Sequence, residues 1–113
     1  WMSAPSLLKK WQDEVFTFLS KTPAVAGKSL TVVTTTGSEY EAYRSGGRNR
    51  FTMDELLRPY QVSAIHSGMS WQTPIVVYGM GTADAGKNIA EGANLYKQRV
   101  EMLIGNSNAG NNW

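Results

Sequence analysis

The 113-residue chain contains no cysteine, a single histidine and no long apolar run. Without cysteine there is no disulfide and no thiolate metal site, which fits a reducing compartment or an envelope protein that never needed staples. His66 has no second histidine and no carboxylate at a ligand spacing such as His-Glu-x-x-His, so a metal site has no support. No stretch approaches the roughly 18 consecutive apolar residues that span a bilayer, and no signal-like segment opens the chain, so membrane insertion is not expected. A Gly-x-Ser-x-Gly elbow is missing, and scattered Ser, His and Asp residues do not define a triad, so no catalytic residue is singled out. Charge of one sign is also scarce. A net charge of +2, from 11 Lys and Arg against 9 Asp and Glu, permits anionic ligands without calling for nucleic acid. The chain starts at Trp1 and not at methionine, which fits processing or a piece of a longer protein.

What is present suits one small core. At 42% hydrophobic the chain is long enough for one domain and too short for two ordinary ones. Ser6 is placed to cap a first long helix, whose apolar residues Leu8, Trp11, Val15, Phe18 and Leu19 recur at three- and four-residue spacing. Pro23 and Gly27 end it, and the β-branched run Leu30 to Thr35 follows as a strand. Gly37-Ser38 then predicts a turn into a second, half-exposed strand over Glu39 to Arg44, forming a hairpin. Thr52 and Glu55 form a capping-box pattern for a short helix that stops before Pro59, while Tyr60 to Trp71 reads as partly helical. A buried-type strand at Ile75 to Tyr78 empties through glycines into a last long helix from Ala85, with Ile89, Ala93, Tyr96, Val100 and Leu103 on one stripe and Gly105 as its stop. The order α-β-β-α-β-α, with long first and last helices, predicts an α+β fold, a small single-domain two-layer sandwich over residues 1–105. Residues 106–113 read as a flexible Gly/Asn-rich tail that ends at Trp113.

The junction at Gly81-Thr82-Ala83-Asp84-Ala85-Gly86-Lys87 is the most informative site, because a helix N-terminus offers unpaired N–H donors and a partial positive charge. Its Gly-x4-Gly-Lys spacing suggests a phosphate loop, but Asn88 stands where Mg²⁺ needs a hydroxyl and Asp84 opposes phosphate. A plainer reading needs no ligand: the glycines make a turn, Asp84 caps the helix and Arg99 is a solvated flank residue.

The same segment resembles another family. Gly81-Thr82-Ala83-Asp84 after an apolar strand, then Leu95-Tyr96-Lys97-Gln98-Arg99-Val100 on the helix, resembles the corresponding elements of OmpA-like peptidoglycan-binding domains over residues 74–104. That resemblance implies a site in which Asp84 meets the ammonium and Arg99 the carboxylate of diaminopimelate, with Gly81 and Thr82 shaping the turn. It also implies a periplasmic or cell-envelope location.

Two further clusters stand out. Arg44, Arg48 and Arg50 around Gly46-Gly47 could clamp phosphate, with Tyr40, Tyr43 and Phe51 near enough to stack bases, while Glu39 and Glu41 read as solubilising strand carboxylates. Trp1, Trp71 and Trp113 suggest contact with a protein partner or a second copy of the chain. The sequence therefore predicts a non-enzymatic binding or assembly domain of an envelope, secretion or virion structure, with peptidoglycan as a candidate ligand and no cofactor indicated. The alternative is phosphate or nucleic-acid binding through the Arg44–Arg50 loop or the Gly81–Lys87 turn, with Lys87 as its cation.

Overall fold

The computed structural model describes residues 1–110, with side chains as far as residue 105. The chain forms two compact units, one from residues 1–31 and 51–73, the other from residues 32–50 and 74 onward. Both have the α/β character of short parallel strand pairs accompanied by helices.

In the first unit the chain is helical from Ser6 to Leu19, as α1: an α-helix at Ser6–Trp11, a π turn at Gln12–Phe16 and a closing α turn at Thr17–Leu19. Ser6 is its first helical residue, not its cap; Pro5 holds that place. The Thr17 hydroxyl donates to the Gln12 carbonyl at 2.9 Å inside the widened turn, and the Trp11 and Phe16 rings meet at 5.7 Å. The apolar periodicity predicted this helix correctly. Its stripe is not a buried one, because Trp11 and Phe18 are 45% and 68% exposed.

Strand β1 (Ser29–Leu30) pairs in parallel with β3 (Ser70–Trp71), Leu30 opposite Trp71. Between them in sequence come α2 (Met53–Leu56) and α3 (Arg58–His66). The capping box starts α2 as the spacing predicts: the Thr52 hydroxyl accepts from the Glu55 amide, and the Glu55 carboxylate accepts from the Thr52 amide. Pro59 does not end helical structure but lies in the first turn of α3, where its missing N–H costs nothing. Leu57 and Ala64 are the buried apolar residues of this unit.

In the second unit β2 (Val33–Thr35) pairs in parallel with β4 (Ile75–Val77), in the register Val33–Ile75, Thr34–Val76 and Thr35–Val77. The expected α+β hairpin is therefore corrected to an α/β arrangement of parallel strands. A two-strand hairpin is antiparallel, and parallel pairing needs a crossover. Glu39 to Arg44 is not a strand either. Tyr40–Ala42 form one 3-10 turn, and the Ala42 carbonyl is taken by the amide of Asn49, so no ladder can use it.

The last helix, α4 (Ala85–Gly110), passes through Gly105 without stopping. Residues 111–113, with Trp113, lie outside the described residues. Its contact with β4 is made at buried Gly92, where an added Cβ would lie 2.3 Å from Val77 Cγ2. Of the expected stripe, Ile89, Ala93 and Tyr96 are exposed, while Val100 and Leu103 are half-buried. Among the described residues no helix is long and apolar enough to cross a membrane.

Candidate functional site

The site grows from the carboxyl ends of β2 and β4. The ladder gains one more bond, from the Thr36 amide to the Val77 carbonyl at 2.9 Å, and then both segments turn. Buried Thr36 donates its hydroxyl to the Ser38 carbonyl at 2.8 Å, which tightens the first turn. Three successive amides of the second turn donate across to the first: Gly79 to Ser38 at 2.8 Å, Met80 to Thr36 at 2.9 Å and Gly81 to Gly37 at 2.9 Å. Gly79 needs its glycine, with φ at 77° and a hypothetical Cβ 2.9 Å from Thr82 Oγ1.

Thr82 then links the turn to α4. Its hydroxyl donates to the Gly79 carbonyl at 2.8 Å and accepts from the Asp84 amide at 3.3 Å. The Asn88 side-chain amide reaches back from the first turns of α4 to the Tyr78 carbonyl at 2.9 Å. Among the described residues no hydrogen bond caps α4 through the Asp84 carboxylate.

These segments enclose a cleft of about 470 Å³. The turn after β2 contributes Glu39, Tyr40 and Glu41, the junction Tyr78, Thr82 and Asp84, and α4 Asn88, Glu91 and Leu95. Tyr40 stands edge-on to Tyr78 at 5.2 Å and 89°, and Tyr43, buried behind it, meets Tyr78 at 5.8 Å. Four carboxylates line the cleft and no lysine or arginine does. Arg48 forms a two-pronged pair with Glu39, with bonds of 2.7 and 3.0 Å. These bonds hold the Glu39 carboxyl below the usual glutamate value, with help from its own amide, and raise Arg48 in return. A depressed carboxyl contributes above the ordinary glutamate value, and its contribution is lost as pH falls through the lowered folded value. Both groups are solvent-exposed, so the effect on stability is small and salt-screened. In a carboxyl ¹³C titration at low salt, the Glu39 midpoint should rise in the Arg48→Gln variant; an unchanged midpoint would mean that the pair does not form in solution.

The sequence-predicted residues are only partly brought together. Gly81, Thr82 and Asp84 lie at the junction, with Thr82 and Asp84 on the cleft wall. Arg99 lies fifteen residues along from Asp84, roughly 22 Å up the helix axis, too far to grip the same small ligand. Lys87 is exposed on the first turn of α4 and does not line the cleft. Arg44 and Arg50 are exposed, and Arg50 takes a φ of 64°. Within the Gly81–Lys87 turn the Gly81, Thr82, Asp84 and Ala85 amides already donate locally. Sequence reasoning missed Tyr78 as a site residue. The available signal was an aromatic placed between the end of an apolar strand and a glycine.

A family model described as flavodoxin-like fold matches residues 1–100. The chain belongs to this family. General stress protein 14 of Bacillus subtilis (strain 168) is 40% identical over 106 residues, covering 90% of this chain and 60% of that protein. A solved NADPH-quinone reductase from P. pentosaceus aligns at a TM-score of 0.70 and 31% identity, covering 81% of this chain and 58% of that one. General stress protein 14 of Treponema denticola, solved in complex with FMN, aligns at a TM-score of 0.78 and 27% identity, covering 91% and 60%. The flavodoxin-like chain thus spans about 60% of the length of these relatives.

Membership corrects several expectations. The OmpA-like resemblance rested on one strand–turn–helix segment, whereas the flavodoxin-like match runs over residues 1–100. The peptidoglycan ligand and the periplasmic or envelope location fall with that resemblance. So does the non-enzymatic binding or assembly role, since the matched proteins include a named reductase and an FMN complex. Its alternative, phosphate or nucleic acid held by the arginine loop or the glycine turn, meets an Arg48 already paired with Glu39 and a junction whose cleft is lined by carboxylates and not by Lys87.

Proposed function

We propose that this chain supplies the ring-facing part of a flavin-dependent NAD(P)H:quinone oxidoreductase. The observation that carries this reading is the tyrosine-walled cleft at the carboxyl ends of β2 and β4. In parallel α/β sheets ligands bind outside the carboxyl ends of the strands, a rule for which flavodoxin and its FMN are a stock example. Support comes also from the names of the relatives, a quinone reductase and an FMN complex.

The donor set fits one part of FMN. An isoalloxazine ring is planar and uncharged, with carbonyl acceptors on one edge. The cleft offers the edges and faces of Tyr40 and Tyr78. A phosphate dianion needs cations or a nest of free amides, and here it would meet Glu39, Glu41, Asp84 and Glu91. The lining of this cleft therefore suits the ring and not the phosphate. A bound flavin supplies the redox centre between a nicotinamide donor and a quinone acceptor. The protein's part is to hold the ring against the tyrosines.

Titration of the chain with riboflavin and with FMN, followed by quenching of flavin fluorescence, tests this. The two ligands should bind with affinities within about threefold of each other, and Tyr78→Ala should weaken both by about tenfold or more, the worth of one aromatic stacking contact. A strong preference for FMN would place the phosphate site on this chain. Failure of riboflavin to bind at millimolar concentration would remove the flavin assignment.

A further inference from the structure

Tyr40 is 58% exposed, and its ring stands edge-on to Tyr78 at 5.2 Å. With so little of the ring buried, its placement depends on the turn that carries it. That turn opens at Glu39, whose two carboxylate oxygens each accept one N–H from Arg48. Fork-to-fork pairing fixes direction as well as distance, which a single ammonium contact does not. Between the two residues and just after Arg48 the backbone is folded tightly. The Gly47 amide donates to the Arg44 carbonyl at 2.9 Å, the Asn49 amide to the Ala42 carbonyl at 3.0 Å and the Arg50 amide to the Gly47 carbonyl at 3.1 Å. The pair thus closes a compact loop at its open end, and Arg48 does so from outside the cleft.

We propose that the Glu39–Arg48 pair is a surface latch that orders the turn bearing Tyr40 and holds that ring against Tyr78 at the mouth of the cleft. Arg48 is then a positioning residue, and raised ionic strength loosens the cleft wall without unfolding the protein. The functional consequence rests on the flavin reading; the latch itself does not.

The test uses the flavin-free chain. Amide hydrogen exchange over residues 40–49 should quicken about two- to fivefold in Arg48→Gln, the range of a surface ion pair. Salt near 1 M, where the screening length falls to about 3 Å, should do the same to the parent chain and nothing to the variant. Exchanging the charges, Glu39→Arg with Arg48→Glu, should restore protection. In ¹⁹F spectra of fluorotyrosine-labelled protein, the Tyr40 resonance, assigned through Tyr40→Phe, should move toward its solvent value in Arg48→Gln. Unchanged exchange in Arg48→Gln would overturn the latch, and faster exchange with an unmoved Tyr40 resonance would overturn its positioning role. Absence of riboflavin binding to the parent chain, with the latch behaving as described, would sink the flavin reading alone.

Discussion

Replacing Gly92 by valine removes α4 from β4 and melts the second unit well below the parent chain. Gly92 is buried at the helix–strand contact, and a Cβ there would lie 2.3 Å from Val77 Cγ2 and 3.5 Å from Val77 Cβ. Real Cβ atoms do not approach that closely, so either the Val77 side chain or the helix must move. Overpacking of this kind costs about 1–3 kcal/mol for a modest excess of volume. A Gly→Ala change inside a helix otherwise gains about 1 kcal/mol from propensity. Gly92→Ala should therefore cost a net of up to about 2 kcal/mol, and Gly92→Val, with two further methyls and a weaker propensity gain, about 3 kcal/mol or more. Urea unfolding followed by far-UV circular dichroism reads this directly, because α4 is the longest helix. Adding Val77→Ala to Gly92→Ala should recover part of the loss, since the two side chains compete for one space. A Gly92→Val variant as stable as the parent would mean that α4 does not pack on β4 at this residue.

Gly47→Ala opens the loop between Glu39 and Arg50. Here the obstacle is backbone: a Cβ would lie 2.2 Å from the Glu41 carbonyl oxygen and 2.6 Å from that of Ala42. A carbonyl inside a 3-10 turn cannot rotate away as a side chain can, so the turn itself must open. The expected local cost is about 2–4 kcal/mol. Trypsin should then cut after Arg44 and Arg48 roughly thirtyfold faster or more, because cleavage follows the population of the open loop. The midpoint of global unfolding should move much less. Riboflavin affinity should fall as well, because Tyr40 loses its support. The Arg48→Gln variant changes the same loop only a few-fold, so the two together divide its order between backbone packing and the charge pair. If Gly47→Ala left tryptic cleavage unchanged, the close packing of Gly47 on the turn would not exist in solution.

Much of the local structure was legible in the amino-acid order. Apolar spacing located α1 and α4, the Thr52–Glu55 pair started α2, and the β-branched run before Gly79 marked β4. Each of these depends on neighbours a few residues away, and caps and side-chain periodicity act at that range. The glycine junction was likewise found as the place to look, because strand-to-helix turns need residues that tolerate unusual backbone geometry.

Only the tertiary structure decided what those elements do. Alternation over Glu39 to Arg44 matched a strand, but Gly47 and Asn49 claim the carbonyls a ladder would need, and a 3-10 turn results. Thr35 finds its partner in Val77, and a parallel pairing across that much sequence leaves no short-range mark. The pairing of Arg48 with Glu39 turned an apparent anion clamp into a loop closure, and the straight run of α4 carried Arg99 away from Asp84. The amino-acid order alone determined where helices begin, which runs suit strands and which charges exist. Which of those charges, aromatics and amides share one cleft depended on long-range contacts, because strand pairing and helix packing are settled by groups distant in sequence whose gain appears only once the chain has closed upon itself.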